Sequence, residues 1–393
     1  MNNTLNATAC SEDLRLSFAS TRLEFILMGW IFPAQFCIGV LGSIINLSVL
    51  LSKNMRNRAN DLLSGIAFAD IGYLLCLLPQ SLAIHEFFAT SVFFRTVYFA
   101  SKMHLNGLIN WFLAMAMWLI FAVTIERLHG IRSPLRSRMY WNRQTMVMLF
   151  LVVITATGLL TAYHHFAFDC STFVRMACDR AKQILIHVCV DVTKAWPHNS
   201  SNLTNPHSVF FKNLIRFSSV FSAFIVGVIP ITAVACLNIA LIYQLHKRKA
   251  QPLIRGESKW RRDVTLLLRQ ERRITVIVVT IVTSYTLTQG LPAIVYLWQL
   301  FNQDTRIETI FFLNNITCLC NSLMITGKAS NLFLYCMCSK NFRNEILLML
   351  QKLLPRNIVR KLPRRYLPVV TIESDAEDIR LTSVRRQTAS DYR

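Results

Sequence analysis

The chain has 393 residues, of which 53% are hydrophobic and only 16% are charged, and its mean hydropathy is +0.39. This composition excludes an ordinary soluble domain and indicates a polytopic membrane protein. The formal net charge of +21 fits either a nucleic-acid-binding surface or basic segments that flank membrane spans. The positions of the basic residues decide between the two.

Seven apolar segments are long enough to cross a hydrocarbon core ~30 Å thick. In chain order, the predicted spans are Phe25–Leu51, Leu62–His85, Val97–Gly130, Thr145–Phe168, Phe217–Leu245, Arg273–Gln299 and Ile310–Cys338. They predict an all-α membrane protein, a seven-transmembrane helix bundle over residues 25–338. We expect the first span to direct insertion, because the N-terminal residues lack the pattern of a cleaved signal peptide.

Lys and Arg are concentrated after the first, third, fifth and seventh predicted spans. They include Lys53, Arg136, the segment 246–273 and the segment 352–365. By the positive-inside rule these segments are cytoplasmic, and the tail of residues 1–24 is extracellular. The basicity is therefore attributed to topology and to contact with anionic membrane lipids, and nucleic acid is not an expected partner.

Sequons and cysteines in the predicted outer segments agree with this orientation. We expect a multi-pass protein of the plasma membrane. The candidate glycosylation sites are Asn2, Asn6, Asn199 and Asn202. The cysteines on the oxidising side are Cys10, Cys170, Cys178 and Cys189. Disulfides are expected among these four, and three connectivities stay open. The β-branched stretch Ile184–Thr193 in the same outer loop predicts a strand.

The residues after the last span divide into two parts. Within 339–354, apolar residues recur at a helical period and predict an amphipathic helix on the inner leaflet. These residues are Phe342, Ile346, Leu350 and Leu353. Residues 355–393 are polar and rich in Ser, Thr and acidic residues, so they predict a largely disordered cytoplasmic tail.

Two charged residues stand in the middle of otherwise apolar spans. Asp70 lies ten residues from Asn60, and Lys328 lies ten residues from Cys338. At 1.5 Å per residue, each charge is ~15 Å deep, near the centre of the bilayer. A charge at this depth is costly unless it is paired. Opposite charges at equal depth therefore predict an intramembrane pair.

Motifs in six of the spans occur in a fixed order. They are Gly42-x-x-x-Asn46, Ala67-x-x-Asp70, Glu126-Arg127-Leu128-His129-Gly130-Ile131 with Pro134-Leu135, Pro230, Pro292, and Asn331-Leu332-x-x-Tyr335 with Phe342-Arg343. Together they resemble the rhodopsin-like G protein-coupled receptors over residues 25 to about 354. The resemblance implies activation by an extracellular ligand and coupling to a heterotrimeric G protein.

The departures from this family are informative. Lys102 stands where the family has the cysteine of its inter-loop disulfide, Gly290 replaces the tryptophan of the sixth span, and Leu332 replaces the proline of the seventh. The missing tryptophan and the Asn-Leu-x-x-Tyr ending resemble invertebrate neuropeptide receptors of the myosuppressin and FMRFamide type. A peptide ligand is therefore expected.

The resemblance also implies roles for individual residues. The residues expected to serve G-protein coupling and activation are Glu126, Arg127, Pro134, Asn331 and Tyr335. Glu126 would hold Arg127 in the resting state. In that family the carboxylate at the position of Asp70, together with nearby Asn and Ser residues, usually surrounds a bound sodium ion. Here the ammonium of Lys328 would take the place of the ion. Arrestin is expected to bind after phosphorylation of the tail.

Polar residues in the outer halves of the third and sixth spans are candidates for a ligand pocket. They are Lys102, His104, Asn106, Asn110, Gln289, Trp298 and Gln299. Lys102 would suit an acidic ligand group. Ile109 stands where amine receptors carry an Asp, and a cationic amine would lack its counter-ion there.

Three other classes fit the sequence less well. An opsin needs a Lys six residues before the motif Asn, but Lys328 lies three before Asn331, and Ile325 occupies the retinal position. A transporter needs inverted repeats or broken helices, which the sequence does not show. No nucleophile–base constellation suggests an enzyme, and no cofactor or metal is expected. The pair His164-His165 is predicted to be interfacial.

Overall fold

The computed structural model describes residues 21–55, 57–132, 141–176, 183–193, 206–250, 259–301 and 307–353. Several predictions fall on residues outside these ranges. They are the sequons Asn2, Asn6, Asn199 and Asn202, the cysteines Cys10 and Cys178, Pro134, and the tail 355–393.

Seven long helices of the described residues form a bundle. α1 is Arg22–Leu50, α2 is Arg58–Leu82, α3 is Val92–Arg132, α4 is Arg143–Thr161, α5 runs without a break from Val209–Ser222 to Ile229–Ala250, α6 is Lys259–Phe301, and α7 is Ile307–Cys338. The first six are long and apolar enough to span a membrane by composition, and α7 has 32 residues. The predicted helix bundle is confirmed.

Several helices are longer than the predicted spans. α3 has 41 residues and α6 has 43, so each is ~60 Å long and exceeds the ~30 Å hydrocarbon core. The predicted end of the fourth span at Phe168 is wrong, because α4 ends at Thr161 and a 3₁₀ turn, Ala162–His165, follows. Phe168 begins a strand, so its apolar side chain belongs to the loop between α4 and α5.

The loop between α4 and α5 contains a β-hairpin. β1, Phe168–Met176, pairs with β2, Gln183–Asp191, in antiparallel register. The predicted strand is confirmed within two residues, whereas its partner β1 was not anticipated. Cys170 and Cys189 stand opposite each other in the register and form a disulfide, so the connectivity that the sequence left open is internal to this loop.

The disulfide between Cys170 and Cys189 can be tested directly. Peptide mapping of the unreduced protein should recover Cys170 and Cys189 in one cross-linked pair, because cross-strand neighbours hold their sulfurs within bonding distance. The bridge closes a loop with a sequence separation of 19, so the double variant Cys170→Ser with Cys189→Ser should lose about 3 kcal/mol of hairpin stability. Recovery of both cysteines as free thiols would contradict the assignment.

Helix α8, Lys340–Leu353, follows α7 directly and is anchored to the bundle. Ser339 Oγ caps it by accepting from the backbone N–H of Phe342 at 3.1 Å. The Phe342 ring is fully buried and stacks on the Tyr335 ring with centroids 5.1 Å apart. Glu345 accepts a hydrogen bond from Asn54 Nδ2 at 3.1 Å, which ties α8 to the turn after α1.

Candidate functional site

A buried cluster of charge joins α2, α6 and α7. Asp70 of α2 and Lys328 of α7 form an ion pair and are 0% and 2% exposed. Asn331 Nδ2 donates to the second carboxylate oxygen of Asp70 at 3.2 Å. The ammonium also lies 5.0 Å from the ring centroid of Tyr73 and 5.6 Å from that of Tyr285, distances at which a cation is attracted to an aromatic face.

Close packing of α6 on α7 positions this cluster. A Cβ added at Gly327 would lie 2.5 Å from Thr288 Oγ1 of α6, so only glycine permits this approach. Lys328 follows directly and Tyr285 lies one turn before Thr288, which brings the tyrosine face toward the ammonium. The carboxylate and the aromatic faces compensate the cost of taking the ammonium out of water.

A second buried ion pair lies near the C-terminal end of α3. Arg127 and Glu126 are 1% and 2% exposed, and Arg127 Nη2 donates to Glu126 Oε1 at 2.6 Å while Nε donates to the other carboxylate oxygen. This fork geometry is the strong form of the Arg–carboxylate interaction. The pair lies at the end of the bundle where Tyr335 and Phe342 pack in the hydrophobic core.

A cavity of about 240 Å³ lies at the hairpin end of the bundle. Helices α3, α5, α6 and α7 and the turn after α4 supply its wall, which includes Asn110, His164, Gly227, Gln289, Gln299 and Met324. α5 is π-helical at Ala223–Val228, a distortion that often marks functional sites. An added Cβ at Gly227 would meet none of the described atoms within 4 Å, so this segment leaves room in the cavity.

The cavity and the charge cluster are adjacent along α7. Met324 lines the cavity and packs in one buried cluster with Tyr73, Leu74 and Ile325. Lys328 lies four residues further on, about one helical turn or 6 Å along the axis. A group bound in the cavity would therefore contact the same helices that hold the buried charges.

This arrangement can be compared with known proteins. Residues 33–352 match the family of serpentine type 7TM GPCR chemoreceptors called Srw. The chain belongs to the Srw family. It is therefore a multi-pass membrane protein and a G protein-coupled receptor of the serpentine chemoreceptor type.

Two relatives of this Srw receptor come from Caenorhabditis elegans, and each is named as a G-protein coupled receptor. The first is 30% identical over 391 residues, which cover 97% of the chain and 87% of that protein. The second is 24% identical over 329 residues, or 81% of the chain and 68% of that protein. The likeness thus extends over the whole helix bundle.

The cavity of the Srw receptor contains three of the seven residues predicted to form a ligand pocket. Asn110, Gln289 and Gln299 line it, whereas Lys102, His104, Asn106 and Trp298 do not. Trp298 is 45% exposed and lies about 180° around α6 from Gln289 at 100° per residue. His104 lies about 120° from Asn110 on α3. Trp298 and His104 thus lie on other faces of their helices, whereas Asn106 and Lys102 lie about one and two turns from Asn110 toward the start of α3.

The adjacent residues His164 and His165 have different surroundings. His164 lines the cavity and stacks on Tyr163 with centroids 4.2 Å apart, and its place at the membrane interface stays a prediction. His165 turns to α3, where its Nδ1 lies 3.1 Å from His104 Nδ1. Other polar wall residues were missed, although each interrupts an apolar run. They are Thr161, Ser222, Tyr296, Thr317 and Asn321.

Proposed function

We propose that this Srw receptor is a rhodopsin-like receptor of the plasma membrane, with residues 1–24 outside, that is activated by an extracellular peptide. The observation that carries the receptor mechanism is the arrangement of two buried ion pairs below one cavity. Ligand contacts in the cavity reach α6 and α7, which hold Tyr285 and Lys328, and α3, which ends in Glu126 and Arg127. A shift of these helices would pass the signal to a heterotrimeric G protein.

The peptide assignment rests on the sequence resemblance and on the absence of an amine counter-ion at Ile109. A cavity of about 240 Å³ is below the usual range of ~300–1,000 Å³ for ligand pockets. Only the end or one side chain of a peptide would enter it, and the rest would lie along the hairpin. The family description favours a second candidate, a small chemical stimulus that is held entirely in the cavity.

An opsin is not favoured by the arrangement of the seventh span. Lys328 is engaged by Asp70 and is not part of the cavity wall, while Ile325 is 1% exposed and carries no amine. Formation of a retinal Schiff base would need a free lysine amine that faces the ligand cavity. A transporter is not favoured either, because the chain belongs to a receptor family.

Four further roles belong to the same proposal. Pro134 and Tyr335 would also take part in G-protein coupling and activation. Phosphorylation of Ser and Thr in the tail 355–393 would recruit arrestin. The outer sequons would carry glycans, and α8 would lie on the lipids of the inner leaflet, with the tail beyond it in the cytoplasm.

A screen of invertebrate amidated peptides on cells that express the chain tests the peptide assignment. We expect at least one peptide to raise G-protein activation in a dose-dependent manner, with no response in cells that lack the receptor. A parallel screen of small uncharged organic molecules provides the comparison. Responses confined to that second panel would contradict the peptide ligand and support the small chemical stimulus.

A further inference from the structure

The wall of the cavity is mostly apolar, and its polar groups carry no fixed charge. Among the described residues that line it, none is Asp, Glu, Lys or Arg. Its polar groups are amides, hydroxyls, one thiol and the imidazole of His164, whose ring face is covered by Tyr163. A charged ligand group would lose its hydration there without gaining an opposite charge, at a cost of several kcal/mol.

One residue of the wall, Gln289, carries a buried donor that lacks an acceptor among the described residues. Gln289 is 6% exposed, and its Nε2 has no hydrogen-bond partner among the described residues. Gln299, three turns further along α6, is different because its Nε2 donates to Thr317 Oγ1 at 2.7 Å. A buried donor without a partner costs ~1–3 kcal/mol. An acceptor atom brought by a ligand would recover this energy.

We propose that the cavity binds an uncharged, carbonyl-bearing group of the ligand, an amide or an ester and not a carboxylate, whose oxygen accepts a hydrogen bond from Gln289 Nε2. This inference rests on the proposed function as a receptor. The volume of about 240 Å³ holds a single ring with one planar substituent. The sequence-based expectation that Lys102 binds an acidic ligand group is not supported, because Lys102 does not line this cavity.

Three probes of nearly equal shape isolate the effect of charge. Benzamide is neutral and has a carbonyl oxygen, benzoate is its anionic counterpart, and benzamidinium is its cationic one. Cys320 lies on the cavity wall and reports occupancy through its rate of modification by the small neutral reagent methyl methanethiosulfonate. The rate is read peptide by peptide by mass spectrometry on the purified full-length receptor, since other free cysteines are present.

Benzamide should slow the modification of Cys320, and benzoate and benzamidinium should need more than tenfold higher concentrations for equal protection. Gln289→Leu should weaken protection by benzamide about tenfold, the equivalent of ~1.4 kcal/mol. Gln289→Glu should transfer the preference to benzamidinium. Gln144→Leu, at an exposed glutamine near the start of α4, is the matched control and should leave all three concentrations unchanged.

Equal protection by the three probes, or protection by benzamide that survives Gln289→Leu, would overturn the proposal. Stronger protection by benzoate would also overturn it and would assign the site to an anion held by His164. Each variant is first checked for a monodisperse size-exclusion profile, and Gln289→Glu supplies a gain of binding that misfolding cannot imitate. No G protein or agonist is used, so failure here is distinct from failure of the proposed receptor function.

Discussion

Lys328→Met should strongly reduce the yield of folded receptor at the cell surface, because it leaves Asp70 buried without its ion-pair partner. Asp70 is 0% exposed, and of its described hydrogen-bond donors Asn331 would remain. Removal of one member of a buried pair costs about 3–5 kcal/mol. That is a large part of the ~5–15 kcal/mol that separates folded from unfolded states in typical proteins. Asp70→Asn should have an effect of similar size, since it strands the ammonium.

The double variant Asp70→Asn with Lys328→Met should recover part of the loss, because neither charge is then stranded. A double-mutant cycle on surface yield and melting temperature measures the coupling between the two side chains. Lys340→Met is the matched control, because Lys340 is exposed at the start of α8. Effects of the two single changes that simply add would contradict the pairing.

Sodium provides an independent measure of the same pair. The melting temperature of the unmutated receptor should be equal in sodium and choline chloride at the same ionic strength, because the ammonium already neutralises Asp70. Lys328→Met exposes a carboxylate and Asn331 to an entering cation, so sodium should stabilise this variant. At ten times the dissociation constant the gain would be about 1.4 kcal/mol. Stabilisation of the unmutated receptor by sodium would exclude the predicted role of Lys328.

The second large effect is expected at the C-terminal end of α3. Glu126→Gln should raise ligand-independent nucleotide exchange on a heterotrimeric G protein several-fold. The buried guanidinium of Arg127 would lose the fork of hydrogen bonds that holds it against Glu126. If the resting state alone loses ~1.4 kcal/mol, the population of the active state rises tenfold.

The double variant Glu126→Gln with Arg127→Gln should abolish exchange both with and without ligand. Two neutral amides leave no charge stranded, so this variant separates coupling from folding more cleanly than Arg127→Ala does. Nucleotide exchange is measured in membranes and divided by receptor number at the surface. Arg216→Gln, at an exposed arginine in the hairpin-side part of α5, is the control. Normal exchange in the double variant would show that Arg127 has no part in coupling.

The sequence predicted most of the bundle because the membrane restricts the choices of the chain. A backbone in hydrocarbon has to satisfy its own hydrogen bonds, so a long apolar segment becomes a helix. The ends were less well predicted. The apolar residues up to Phe168 fit a continuation of α4, whereas the structure has a 3₁₀ turn at Ala162–His165 and a strand that begins at Phe168.

Depth in the membrane was determined by the sequence alone, since residue count multiplied by the helical rise gives it directly. Equal depth and opposite charge were enough to predict that Asp70 meets Lys328. The rotation of each helix about its axis was decided only by tertiary packing. It depends on close approaches such as that of Gly327 to Thr288 and on the π-helical segment of α5, which one-dimensional spacing does not contain. For that reason only the tertiary structure showed that Gln289 and His164 share a cavity wall while His104 and Trp298 lie outside it.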